Sequence, residues 1–133
     1  MPHCFTTKFF SKMTIEQVAD RLIALASQGK FEQAQRELFA ADAVSIEPDH
    51  AVDMGMTVRT EGLPAIIEKG KHWQAYVEQF FGSNITGPVI AGDHFSIAFS
   101  MDIKYQGRDR QTDAEICVYQ VKNGKVVKEQ FFY

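Results

Sequence analysis

Two glutamates near the carboxyl end, Glu115 and Glu129, carry the clearest chemical potential in the chain. Glu115 lies in the run Asp-Ala-Glu-Ile-Cys-Val-Tyr-Gln-Val at 113–121, and Glu129 in Val-Val-Lys-Glu-Gln-Phe-Phe-Tyr at 126–133. Both runs are rich in β-branched and aromatic residues and read as strands. Lys122-Asn123-Gly124-Lys125 between them is a hairpin signal. Side chains alternate with period two along a strand, so the turn decides whether the glutamates meet. A two-residue Asn123-Gly124 loop pairs Val121 with Val126 and sends them to opposite faces. A three-residue loop with Gly124 at a bulge pairs Val121 with Lys125. It then gathers Asp113, Glu115, Cys117, Tyr119, Val127, Glu129, Phe131 and Tyr133 on one face. The bulged turn is the favoured reading, because it keeps acids and aromatics together and leaves Gln120, Lys128 and Gln130 outside. An unpaired buried carboxylate is costly, so acids among aromatics indicate a pocket rather than a plain core. Two close carboxylates cannot both ionise cheaply, which would let the pair hold and deliver a proton.

Glu47, immediately before Pro48, is the first candidate for the base, since desolvation in an apolar pocket raises a carboxylate's pKa towards neutrality, and Glu115, Glu129 or a tyrosine would then stabilise the developing negative charge. His50, in the following loop, titrates in the same range. Trp73, Phe99, Cys117, Tyr119, Phe131 and Tyr133 are the candidate ligand contacts, with the two tyrosines able to offer phenol donors. Each has an ordinary competing role. Glu47 fits a strand-end surface position, His50 a solvated loop, Trp73 and Cys117 simple core packing, and the glutamate pair satisfaction by Arg59, Lys69 or backbone donors.

The elements that must place these groups follow from periodicity. Thr14-Ile15-Glu16-Gln17 has the form of a capping box, and apolar residues from Ile15 to Ala26 follow at helical spacing up to Gly29. A second helix fits 31–40. Residues 43–47 alternate like a strand ended by Pro48, and 48–61 read as a long loop. A third helix covers about 63–76, with Pro64 in its first turn. Strands follow near 77–91 and 94–105, where Phe95, Ile97, Phe99, Met101, Ile103 and Tyr105 alternate with smaller or polar residues. Residues 1–13 read as an arm and 14–133 as one domain. Three helices packed on an antiparallel sheet make an α+β fold.

Composition narrows the partners. The 133 residues carry a net charge of −3, with the basic residues scattered, which argues against nucleic acid. No run has membrane-spanning length. Two cysteines form neither a disulfide framework nor a zinc pattern, and the amino terminus lacks the pattern of a secretory signal, so a reducing cytoplasm is the expected setting. No metal-ligand spacing, phosphate loop or nucleophile elbow is present, and no cofactor is expected.

Several segments together resemble the SnoaL-like group of the nuclear-transport-factor-2-like, or cystatin-like, superfamily over residues 13–133. They are Leu38-Phe39-Ala40-Ala41-Asp42-Ala43-Val44 leading to Glu47-Pro48, Glu61-Gly62-Leu63-Pro64-Ala65-Ile66, Val118 to Val127, and Glu129-Gln130-Phe131-Phe132-Tyr133. The resemblance implies a cone in which a bent sheet wraps a helix and leaves a pocket at the open end, and a homodimer formed through the sheet. In the ketosteroid-isomerase branch an acid before proline is the proton shuttle, a position similar to Glu47. That branch also uses a tyrosine on the first helix, absent from 14–28 here, and a second acid at what corresponds to Cys117. Glu115 lies two residues away on the same face. The implied function is binding of a small, mostly apolar molecule, with cofactor-free isomerisation, cyclisation or dehydration as the chemistry. The alternative is a non-catalytic ligand-binding or dimerisation module.

Overall fold

The computed structural model describes residues 12–133. The expected arm therefore lies outside the described residues except for Lys12 and Met13. Lys12 Nζ donates to Asn123 Oδ1 at 3.2 Å, beside the last hairpin.

Thr14 starts the first helix, α1 (Ile15–Ala26), with a complete capping box. Its hydroxyl accepts the Gln17 N–H at 3.2 Å, and the Gln17 side chain accepts the Thr14 N–H at 2.9 Å. Val18, Ala19, Leu22 and Leu25 are buried along the inward stripe. The second helix, α2 (Phe31–Leu38), stops short of the expected residue 40 because Phe39 is already extended and opens β1 (Phe39–Ile46). The expected loop holds two short elements that its composition hid. They are a 3-10 helix at Asp49–Met54 and β2 (Arg59–Glu61), which pairs antiparallel with the end of β1. Three residues are too few to show an alternation. The third helix, α3 (Leu63–Tyr76), has Pro64 in its first turn, as its sequence predicts.

Four long strands complete the chain: β3 (Val77–Ala91), β4 (His94–Tyr105), β5 (Gln111–Lys122) and β6 (Lys125–Phe132). The sheet order is β2-β1-β6-β5-β4-β3. The expectation of an antiparallel sheet needs one correction, because β1 lies parallel to β6. No hairpin joins those two strands, so no tight turn fixes their relative direction. All six alternating residues of β4 from Phe95 to Tyr105 are buried, facing the helices. The β3–β4 register shifts at three places, and such irregularities bend a strand.

The β5–β6 hairpin corrects the favoured turn and keeps its consequence. Asn123 and Gly124 both have positive φ (53° and 73°), and Val121 faces Val126, so the loop is the tight two-residue form. A bulge then intervenes: Gln120 faces Lys128, leaving Val127 as the extra residue. It is Val126, fully buried, that joins the inner face, not Val127. The phase changes by one, Tyr119 faces Glu129, and Glu129 returns to the face of Glu115.

Candidate functional site

Between the helices and the inner face of the sheet lies a cavity of about 460 Å³. Glu47, His50, Trp73, Phe99, Glu115, Cys117, Tyr119, Glu129, Phe131 and Tyr133 all line it, so sheet, third helix and 3-10 helix together bring every candidate from the sequence to one space. Their relations differ. Phe31 of α2 meets the Trp73 ring edge-on at 6.3 Å and the Phe99 ring at 5.9 Å, forming one aromatic wall. Tyr119 stacks on Phe95 at 4.9 Å and belongs to the core behind the wall. His50 is exposed at the rim, its ring edge-on to Tyr133 at 5.2 Å.

A buried polar chain crosses the cavity wall. Ser45 and Glu129 are neighbours in the parallel β1–β6 ladder, and the Ser45 hydroxyl donates to Glu129 Oε2 at 2.7 Å. Lys69, projecting from α3, donates to Ser45 Oγ at 2.6 Å and to Glu47 Oε2 at 2.8 Å. Tyr133 donates to the other oxygen of Glu47 at 2.8 Å. The Glu47 and Lys69 side chains are 5% and 11% exposed, so theirs is a buried ion pair rather than a surface one. Glu47 itself is held at the exit of β1 by its backbone N–H, which donates to the Val58 carbonyl at 2.7 Å. Arg59, a suggested partner for the acids, pairs instead with Glu61 on the surface.

Glu115 stands apart from this chain. Its carboxylate accepts from the Cys117 thiol at 3.4 Å, a weak contact. Burial pushes its pKa up to about 7, the thiol opposes this, and the charges of Glu47, Glu129 and Asp113 add to the rise. Burial likewise pushes Glu129 up to about 7, against the Ser45 hydrogen bond and the Lys69 charge. The Cys117 thiol is driven far up, first by burial and then by the Glu115 charge, so it is an inert wall residue.

A second polar group sits at the far side of the cavity. Tyr105 donates to Asp113 Oδ2 at 2.7 Å and accepts from Trp73 Nε1 at 3.3 Å. Lys69, Ser45 and Tyr105 were not among the site residues expected from sequence. The available signal for Lys69 was a lysine inside the inward stripe of α3, three residues after Ile66 and four before Trp73. Among the described residues no group of three or more His, Cys, Asp or Glu side chains is arranged to hold a metal ion. No described helix is long and apolar enough to cross a membrane.

A bent mixed sheet, helices on one face and an aromatic-walled cavity with buried acids define a cystatin-like ligand-cavity architecture, and solved structures share it. A protein of Mesorhizobium loti described as a candidate SnoaL-like polyketide cyclase [carbohydrate phosphatase] is similar at 31% identity, with 91% of this chain and 100% of that one covered and a TM-score of 0.83. A nuclear-transport-factor-2-like protein of unknown function from Burkholderia pseudomallei superposes with a TM-score of 0.77 at 13% identity, covering 89% and 88% of the two chains. A protein of unknown function with a cystatin-like fold from Xanthomonas campestris gives 0.76 at 16%, covering 90% of each chain. No curated protein matches the sequence. The SnoaL-like domain family model matches residues 13–133, and the chain belongs to that family.

Proposed function

We propose that this protein takes a small, mostly apolar carbonyl compound into its cavity and moves a proton beside the carbonyl without a cofactor. The convergence of Glu47, Glu115 and Glu129 on an aromatic-walled space, with Lys69 ion-paired to Glu47, carries the reading. The similarity to the Mesorhizobium loti protein supports it, since cyclisation of a polyketide begins with the same loss of a proton. Both Glu47 oxygens already accept hydrogen bonds, so we assign the proton shuttle to Glu115, whose weak partner leaves it open to a ligand. As a carboxylate, Glu115 takes the proton from the carbon next to the carbonyl. The C–H electron pair forms a new C=C bond and the carbonyl π pair moves onto oxygen, giving an enolate. Return of the proton to another carbon completes an isomerisation. Attack of the enolate carbon on a second carbonyl gives a ring, and loss of a β-hydroxyl gives a dehydrated product. A pKa near the working pH suits a group that must both accept and return a proton.

Exchange of ligand hydrogen for deuterium tests the reading without a known substrate. A bicyclic ketone such as 2-tetralone in D2O should gain deuterium beside its carbonyl faster with the protein than in buffer. Glu115→Gln should slow this by about a hundredfold or more. If the variant exchanges as fast as the wild type, the base lies elsewhere. One observation favours a second reading, a binding module without chemistry: both carboxylate oxygens of Glu47 accept hydrogen bonds, from Lys69 and from Tyr133, as in a structural pair. That reading gains if 2-tetralone quenches Trp73 yet no exchange is accelerated.

We further propose a homodimer through the outer face of the sheet and a reducing cytoplasmic setting. Ile116 and Phe132 of that face, exposed among the described residues, and the free buried thiol of Cys117 support them.

A further inference from the structure

We infer that Lys69 is the anion-holding group of the cavity, and that it selects ligands that bind as, or pass through, a delocalised oxyanion: enolisable ketones and phenols. This deepens the proposed function and rests on it. An ammonium has three N–H donors. Two are spent on Ser45 Oγ and Glu47 Oε2, and among the described residues no third acceptor is bonded to Nζ. Those two bonds fix the head group, and its remaining side opens to the cavity beside the Phe131 ring, 5.4 Å from Nζ. The ion pair with Glu47 Oε2 at 2.8 Å holds the ammonium in this position.

Ser45 extends the site. Its oxygen accepts from Lys69, so its one hydrogen points away, to Glu129 Oε2. Glu129 therefore accepts on Oε2, and a proton held by this carboxyl belongs on Oε1. A protonated Glu129 then presents a second donor on the same wall as Lys69. A fixed cation and a fixed carboxyl donor in a space walled by aromatic rings stabilise an oxyanion far better than mobile water does, because they need no reorganisation as the charge forms. Glu47, Asp113, Glu115, Cys117, Tyr119 and Tyr133 are further ionisable groups lining the same cavity, with His50 at its rim. Glu47 is neutralised by Lys69 itself, and Glu115 leaves its carboxylate state by taking the proton that creates the enolate.

The test uses 4-nitrophenol, whose anion absorbs at longer wavelength than its neutral form, with nitrobenzene as the neutral probe. Trp73 is the single tryptophan and lines the cavity, so its quenching reports occupancy. In the wild type, bound 4-nitrophenol should ionise at lower pH than it does in free solution. In Lys69→Met it should ionise at or above the free value. A charge-assisted hydrogen bond corresponds to roughly tenfold to a hundredfold in affinity for the anion. Affinity for nitrobenzene should change by less than about threefold, well under one such bond. Should the single variant fail to fold, Glu47→Gln/Lys69→Met removes the buried pair as a unit and gives the same readout. Equal losses for both probes, or an unchanged anion affinity, overturn the role of Lys69 even where deuterium exchange upholds the cavity chemistry. Absence of Trp73 quenching by 4-nitrophenol overturns it too. The exchange assay then decides by itself whether the broader reading stands.

Discussion

Glu129 shows what one residue does when the fold buries it. It is 4% exposed and, like Glu115, ionises only near pH 7, because burial penalises its charged form. The unfolded chain ionises both near 4.5, so between those values the folded state holds more protons. The resulting stability is complete below pH 4.5 and is lost as pH rises through about 7. Glu129→Gln keeps an oxygen acceptor for Ser45 and removes the charge. It should leave the melting temperature at pH 4.5 nearly unchanged and stabilise the protein at pH 8 by on the order of 2 kcal/mol. Thermal unfolding at the two pH values measures this, and an identical pH dependence in variant and wild type would disprove it. The acids were legible in the sequence because carboxylates among aromatics demand an explanation. Lys69 was legible only as a suggested partner, since a lysine on a helix stripe usually snorkels to water.

The β5–β6 hairpin shows why secondary structure was easier to read than register. In β4 every inward residue is large and every outward one is small or polar, so the pattern alone fixes the facing. In β6 the decisive residues are Val126 and Val127, two identical side chains, and nothing in their chemistry says which one turns inward. Asn123-Gly124 supports the tight loop, and the acids and aromatics demand the other phase. The bulge at Val127 satisfies both. The pairing of β1 with β6 was equally hidden, because it joins segments distant in sequence with no turn between them. The loop makes a direct prediction. Gly124 has φ +73°, and a Cβ there would lie 3.1 Å from the backbone of Met13. Gly124→Ala should therefore destabilise the protein by about 1–3 kcal/mol through strain at positive φ. Urea unfolding midpoints check it, and a variant as stable as the wild type would mean the turn is not held in this form.

At the scale of the whole molecule, no element among the described residues covers one face of the sheet. Thr86, Ala98, Ile116 and Phe132 stand in register across β3, β4, β5 and β6, on the face away from the helices. Ile116 and Phe132 are 46% and 49% exposed, and Val89 on the edge strand is 69% exposed. An uncharged row with two large apolar side chains, Ile116 and Phe132, this exposed side by side fits a contact surface. The row carries no charge to attract an oppositely charged partner, whereas a second copy offers a surface of matching chemistry. In a two-fold contact each residue of the patch meets the same patch on its mate, so one substitution acts twice. Ile116→Lys sets two ammonium groups against an apolar surface and against each other. Light scattering should give twice 15.0 kDa for the wild type and 15.0 kDa for the variant. Glu115, one residue away, points to the opposite face, so its titration near pH 7 should persist in the monomer. A wild type that scatters as 15.0 kDa at working concentrations would refute the dimer. Loss of the Glu115 titration together with the dimer would show that assembly shapes the cavity as well as covering the sheet.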